Sequence, residues 1–218
     1  MWLAGWFSTA LGCAGLVHDD EALAESGASE TVFERLDGSV EVTYEVVYEG
    51  DATDFDAQSD AIAKTAERFG GIDAAFANAG RGMDKPGTVA GDLDDIRGMI
   101  ELNILGLLYT ARAAIPELKK TKGTLVLTGS AAGRSHIKGS IYGATKWFVH
   151  GYGGNMADEM REWGGRCTVI APGMVDTAFF DDGAPDKLKP QDVADAVIHA
   201  ITAPAQAAIR EIFLMPQN

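Results

Sequence analysis

Tyr142 and Lys146 stand four positions apart in the run Tyr142-Gly-Ala-Thr-Lys146, and together they can do proton chemistry. On a helix, residues at that spacing share a face, so the phenol and the ammonium point the same way. A free phenol has a pKa of about 10 and is a poor base at neutral pH. A cation about 4 Å away contributes roughly 4 kcal/mol at an effective dielectric of about 20, which would lower that pKa by up to about three units. Tyr142 would then act as a general acid/base between a carbinol and a carbonyl. Taken alone the pair is weak, because Tyr and Lys at this spacing are common on solvated helix faces. Its context is stronger. Ser130, in Thr128-Gly-Ser-Ala-Ala-Gly133, lies 12 residues earlier and can donate to a substrate oxygen as charge develops on it. Asn103 falls in the middle of a helical stretch, where Asn is a mediocre choice. It is either an ordinary solvent-facing residue or a member of the same constellation.

The elements that must carry these groups alternate along the chain. Thr43–Tyr48, Ile72–Ala77, Thr124–Thr128, Cys167–Ala171 and Glu211–Met215 are short, apolar or β-branched runs, as buried parallel strands should be. Helical patterns lie between them at Asp56–Phe69, Leu93–Leu118, Tyr142–Trp163 and Pro190–Ala203, the last opened by a proline at its first position. This alternation predicts an α/β fold, a Rossmann-like doubly wound parallel sheet with right-handed crossovers, in one domain spanning the 218 residues. Ligands bind such sheets beyond the carboxyl ends of the strands. Asp51, Asn78-Ala79-Gly80, Ser130 and Pro172-Gly173 each fall just past a strand.

With these motifs in order, the chain from about residue 40 onward closely resembles the short-chain dehydrogenase/reductase family. The resemblance rests on Gly50-Asp51-Ala52-Thr53, Asn78-Ala79-Gly80, Leu102-Asn103-Ile-Leu-Gly106, Gly129-Ser130, Tyr142-Gly-Ala-Thr-Lys146 and Pro172-Gly173-Met-Val175-Asp-Thr177. It implies an oxidoreductase that moves a hydride between NAD or NADP and a secondary alcohol or its ketone or aldehyde. It also implies roles. Tyr142 would transfer the proton, Ser130 would orient the substrate oxygen, and Lys146 would bind the nicotinamide ribose while tuning Tyr142. Asn103 would hold the helix geometry and a water leading to Lys146. Asp51, with Ala52, would meet the adenine, and Asn78, Ala79 and Gly80 would line the adenosine side. Pro172, Gly173, Val175 and Thr177 would frame the nicotinamide carboxamide. Ala77 stands where many relatives have another Asn. Gly139–Val149 and the ending from Arg210 to Gln217 are similar to 3-hydroxy-acid dehydrogenases, whereas Phe179-Phe180-Asp181-Asp182 is closer to ribitol dehydrogenases. The family also implies a homodimer or homotetramer through Leu93–Leu118 and Tyr142–Trp163, where Trp147, Phe148 and Tyr152 add apolar area.

One family motif is missing. Met1–Glu25 contains no TGxxxGxG turn, the device that brings backbone N–H groups and a helix N-terminus to a pyrophosphate. Residues 1–40 are therefore expected to be atypical, with the first strand and turn incomplete, and dinucleotide binding is expected to be weak. Asp19 or Asp20 would be the acid that meets ribose hydroxyls, or simply the start of a helix. The same gap keeps open a cofactor-impaired family member that acts as a scaffold or oligomer partner.

Composition narrows the partners. A formal net charge of −14 repels phosphate backbones and anionic lipid surfaces, so no nucleic acid and no membrane partner is expected. Two cysteines, Cys13 and Cys167, are too few for a disulfide framework or a metal cluster and suit a reducing cytoplasm. The uncharged stretch Met1–Val17 is short for a membrane span and has no basic flank, so it is expected to belong to the domain. The four histidines show no metal-ligand spacing, and no metal is expected. His136, between Ser130 and Tyr142, is the histidine nearest the candidate chemistry in sequence.

Overall fold

The computed structural model describes residues 29–34, 40–45, 47–177, 179 and 186–217. The expectations for Met1–Glu25, including the missing glycine-rich turn and Asp19 or Asp20, lie outside the described residues. The first two strands, β1 (Ser29–Glu34) and β2 (Val40–Glu45), pair antiparallel in a two-stranded sheet of their own, with Ser29 opposite Glu45. This corrects the reading of Thr43–Tyr48 as a buried parallel strand, since the ladder stops at Glu45 and both Val47 and Tyr48 are exposed. The reason is local. Only five residues separate the two strands, which suits an antiparallel pair, whereas a parallel partner needs a crossover of about a dozen residues or more.

The remaining strands build the parallel sheet the alternation predicts. β3 (Ala74–Ala77), β4 (Thr124–Thr128), β5 (Arg166–Pro172) and β6 (Glu211–Leu214) lie side by side in that order, each pair parallel. Helix α1 (Phe55–Phe69) precedes β3. Between β3 and β4 run α2 (Leu93–Ile100) and α3 (Leu107–Thr121), joined by a π-helical turn at Glu101–Gly106. Helix α4 (Ile141–Arg161) links β4 to β5, and α5 (Pro190–Ile201) links β5 to β6.

Strand side chains alternate between two faces. Leu125, Leu127, Cys167 and Val169 pack on one side with Leu107, Ala111, Ala114 and Leu118 of α3 and Val149, Met156 and Met160 of α4. Val126 and Ile170 point the other way, into a second cluster with Val193, Ala196, Val197 and Ala200 of α5. The continuous helical stretch Leu93–Thr121 is long and apolar enough, by length and composition, to cross a membrane. Its stripe from Leu107 to Leu118 is instead committed to the first cluster.

The helix starts fix the register of the site. Asp54 caps α1 by accepting from the Asp56 and Ala57 N–H groups. Ser140 caps α4, its hydroxyl accepting from Gly143 N at 2.9 Å, which sets Tyr142 in the first turn. Pro190 opens α5, as its position predicts.

Candidate active site

All four strands of the sheet run the same way, so their carboxyl ends form one rim. β3 delivers Asn78 there, β4 delivers Ser130, and β5 ends on Pro172 with Gly173 next in the chain. Helix α4 brings Tyr142 and Lys146 to the same rim, four residues apart on one face. The Ser130 hydroxyl accepts from Ala132 N at 3.1 Å and faces the Tyr142 phenol closely enough to draw its pKa down. The Lys146 amine lies 5.7 Å from the centre of the Tyr142 ring. It is 5% exposed and donates to the Thr128 carbonyl at 2.9 Å. The Thr128 hydroxyl in turn donates to Asn78 Oδ1 at 2.8 Å, tying the ends of β3 and β4 together beside the amine.

Burial decides the electrostatics of this pair. It pushes the Tyr142 phenol above its usual pKa, and the neighbouring Ser130 hydroxyl opposes that shift. It pulls the Lys146 amine down to about 8, because desolvation penalises the ammonium. These directions correct the expectation that Lys146 lowers the Tyr142 pKa. A cation 5.7 Å from the ring centre, itself partly neutral near pH 8, does not outweigh the removal of water.

Asn103 is 1% exposed and does not face solvent. Its Oδ1 accepts from Arg81 N at 2.9 Å, and its Nδ2 donates to Arg81 O at 2.9 Å and to Thr145 Oγ1 at 3.2 Å. The amide therefore clamps the backbone just after Asn78-Ala79-Gly80 onto α4, next to Lys146. The π-helical turn carrying Asn103 interrupts the single helix expected over Leu93–Leu118, and such turns recur where a helix must aim a side chain.

Asp51 sits elsewhere. Its carboxylate is exposed and accepts from the N–H and the hydroxyl of Thr53, both at 2.8 Å, bonds that hold it below its usual pKa. The following Ala52 carbonyl accepts from Gln58 Nε2, which also reaches Gly106 O at 3.0 Å. The Asp51 turn is thus tied to the helix that carries Asn103. Beyond β5, Gly173 N donates to Leu214 O at 2.7 Å, and Val175 bridges Leu188 in parallel. The Thr177 hydroxyl accepts from Phe179 N at 3.3 Å, and the Phe179 ring lies 5.8 Å from that of Tyr142.

A nicotinamide dinucleotide fits the described part of this rim. Lys146 is a buried amine with three donors, of which the Thr128 carbonyl takes one among the described residues, and a ribose diol is a matching acceptor. The histidines reverse the sequence-based ranking. His136 is exposed and stacked on Trp147 at 5.5 Å. Among the described histidines it is His150, in phase with Tyr142 and Lys146 on α4, whose side chain is buried against the Ser130 carbonyl, and that four-residue periodicity was the available signal.

These features define a Rossmann-like oxidoreductase with its reactive groups at one sheet rim. The short chain dehydrogenase family model matches residues 21–187, and the chain belongs to that family. Membership makes it an NAD(P)-dependent dehydrogenase or reductase. An uncharacterized oxidoreductase of Staphylococcus aureus (strain USA300) is 32% identical over 209 residues, covering 93% of this chain and 90% of the relative. One from Staphylococcus saprophyticus is 35% identical over 171 residues, 76% of this chain and 73% of the relative. Among solved structures, an alcohol dehydrogenase from the archaeon Thermococcus sibiricus, complexed with 5-hydroxy-NADP, superposes with a TM-score of 0.70. It is 28% identical, over 77% of this chain and 72% of that one. Serine dehydrogenase from Escherichia coli gives a TM-score of 0.68 at 30% identity, covering 77% and 74%.

Proposed function

We propose that the protein interconverts a secondary alcohol and its carbonyl form, of the 3-hydroxy-acid or polyol class, using NAD or NADP. The observation that carries this reading is the buried Lys146 amine beside a Tyr142 phenol that faces the Ser130 hydroxyl. When bound, the nicotinamide accepts or donates the hydride. The chain's own groups then handle the proton and the geometry. Ser130 donates to the substrate oxygen and keeps it against the phenol. Tyr142 takes the hydroxyl proton in oxidation and returns it in reduction. Lys146 holds the ribose diol, and its ammonium attracts the phenolate without outweighing the desolvation that raises the Tyr142 pKa. Asn103 is a positioning residue that keeps the Asn78–Gly80 turn and α4 in register.

The remaining assignments follow the same reading. Asp51 and Ala52 meet the adenine, Asn78, Ala79 and Gly80 line the adenosine side, and Pro172, Gly173, Val175 and Thr177 frame the carboxamide. The chain works in the cytoplasm as a homodimer or homotetramer through the α2–α3 stretch and α4. Leu105, Trp147 and Phe148 are exposed on those elements, which supports the interface.

Initial rates with a panel of 3-hydroxy acids and polyols, with NADP and NAD separately, test the activity through the absorbance of the reduced nicotinamide. Turnover of at least one class is expected. A panel-wide absence of turnover, with both cofactors bound by calorimetry, would overturn the substrate class. Binding much weaker than micromolar is expected from the N-terminal sequence, where losing two phosphate hydrogen bonds would cost about 3–6 kcal/mol. Light scattering that returns a monomer at micromolar concentration would refute the oligomer.

A further inference from the structure

Behind Ser130 lies a group that the reaction as described does not use. The His150 side chain is 6% exposed and sits two helical turns below Tyr142 on α4. It reaches its place because two glycines leave room. A Cβ on Gly129 would come within 2.8 Å of His150 Nε2, and one on Gly133 within 2.5 Å of its Cδ2. The ring is therefore wedged between the two residues that bracket the Ser130 loop. Its Nε2 is 3.1 Å from the Ser130 carbonyl oxygen. A carbonyl only accepts, so the proton must be on Nε2.

That tautomer leaves Nδ1 as a lone pair when the ring is neutral. Among the described residues Nδ1 has no hydrogen-bond partner, and it faces Glu211 Oε2 at 3.5 Å. A bare carboxylate there would pull a second proton onto the ring. Glu211 is not bare, because Arg134 grips both its oxygens, with Nε donating to Oε1 at 2.9 Å and Nη2 in contact with Oε2. Burial pulls His150 below the usual histidine pKa, the positive charges of Arg134 and Lys146 add to that, and the bond to the Ser130 carbonyl opposes it, so the ring is neutral at pH 7.

We propose that His150 is a positioning residue for Ser130. Its wedged ring and its Nε2–H hold the Ser130 peptide so that the hydroxyl keeps facing the Tyr142 phenol, and the Arg134–Glu211 ion pair maintains the tautomer that can do this. The inference rests on the proposed role of Ser130, and its main readouts do not depend on turnover.

The first test is the nitrogen spectrum of the histidine side chains in the full-length protein at pH 7, with His150 assigned by its loss in His150→Gln. An Nε2–H tautomer with Nδ1 unprotonated is expected. An Nδ1–H tautomer or an imidazolium would overturn the proposal. The second is the Cζ resonance of Tyr142, assigned by its loss in Tyr142→Phe. Ser130→Ala should shift it by removing the hydroxyl. His150→Leu, which fills the space without a donor, should shift it the same way, and His150→Gln, whose amide can replace Nε2–H, should restore it. A Leu variant that leaves the resonance in place, or a Gln variant that moves it as far as Leu does, sinks the idea. If the panel shows turnover, His150→Leu should lower kcat about tenfold with the KM for cofactor unchanged, and Gln should recover most of it. A panel without turnover would overturn the proposed substrate class alone, since the two spectra still decide the role of His150.

Discussion

The two faces of the parallel sheet are packed on opposite principles. Under α5, Val126 and Ile170 meet Val193, Ala196, Val197 and Ala200, and the buried threonines on that side of the strands, Thr124 and Thr168, each have a hydrogen-bond partner. On the face under α3 and α4 the core is also apolar, but towards the strand ends it gives way to buried polar groups: Asn103, Thr145 and Lys146 are all at most 5% exposed. The first arrangement contributes stability by removing apolar surface from water. The second subtracts from it wherever a polar group is only partly satisfied. The site-bearing face thus trades stability for chemistry, and the α5 face supplies packing without any of the proposed site residues on its helix.

That contrast can be broken at several points. The largest effect is expected for Tyr142→Phe, which removes one oxygen from the reactive rim. Turnover should fall about 10²- to 10⁴-fold, the usual contribution of a general acid/base, with little change in the urea midpoint. A Phe variant keeping more than a tenth of the rate would remove Tyr142 from the proton path. Asn103→Ala comes next. It strips both bonds to the Arg81 backbone and leaves a void at a position 1% exposed, so a loss of about 2–4 kcal/mol in urea unfolding is expected.

Lys146→Met tests the trade directly, because it should stabilise the fold while abolishing activity. The folded amine titrates at about 8, below the 10.5 of an exposed lysine, so between those values the unfolded chain binds more protons. Stability of the wild type should therefore rise with pH across that window, and the full penalty should be present below about pH 8. After allowing for the lost bond to Thr128, the Met variant should gain about 2 kcal/mol at pH 7 and lose much of the pH slope. A variant less stable than wild type at pH 7 would mean the ammonium is well solvated by the site. On the α5 face, Val197→Ala should cost about 1–1.5 kcal/mol and leave kcat unchanged. A drop in kcat there would show that the two faces are not independent.

Much of this was legible along the chain. The strands β3 to β6 stand out as short apolar runs, and the Tyr142–Lys146 spacing fixes one helix face whatever packs on it. Thr43–Tyr48 is β-branched whichever way it pairs, and only the five-residue spacing between β1 and β2 argues for the antiparallel partner. Asn103 was visible as an odd residue in a helix, but nothing local told that its amide would close on Arg81, 22 residues away.

What the sequence by itself determined is periodicity: which residues lie on strands, which follow them, and which share a turn of α4. Those properties depend on backbone geometry a few residues long. Only the tertiary structure decided protonation and partnership. Lys146 is shifted because strands β3 and β4 and helix α4 close over it. His150 matters because Gly129 and Gly133, 17 or more residues away along the chain, leave its ring room behind Ser130. Desolvation and close approach are sums over neighbours from several elements, and no local run of residues contains them.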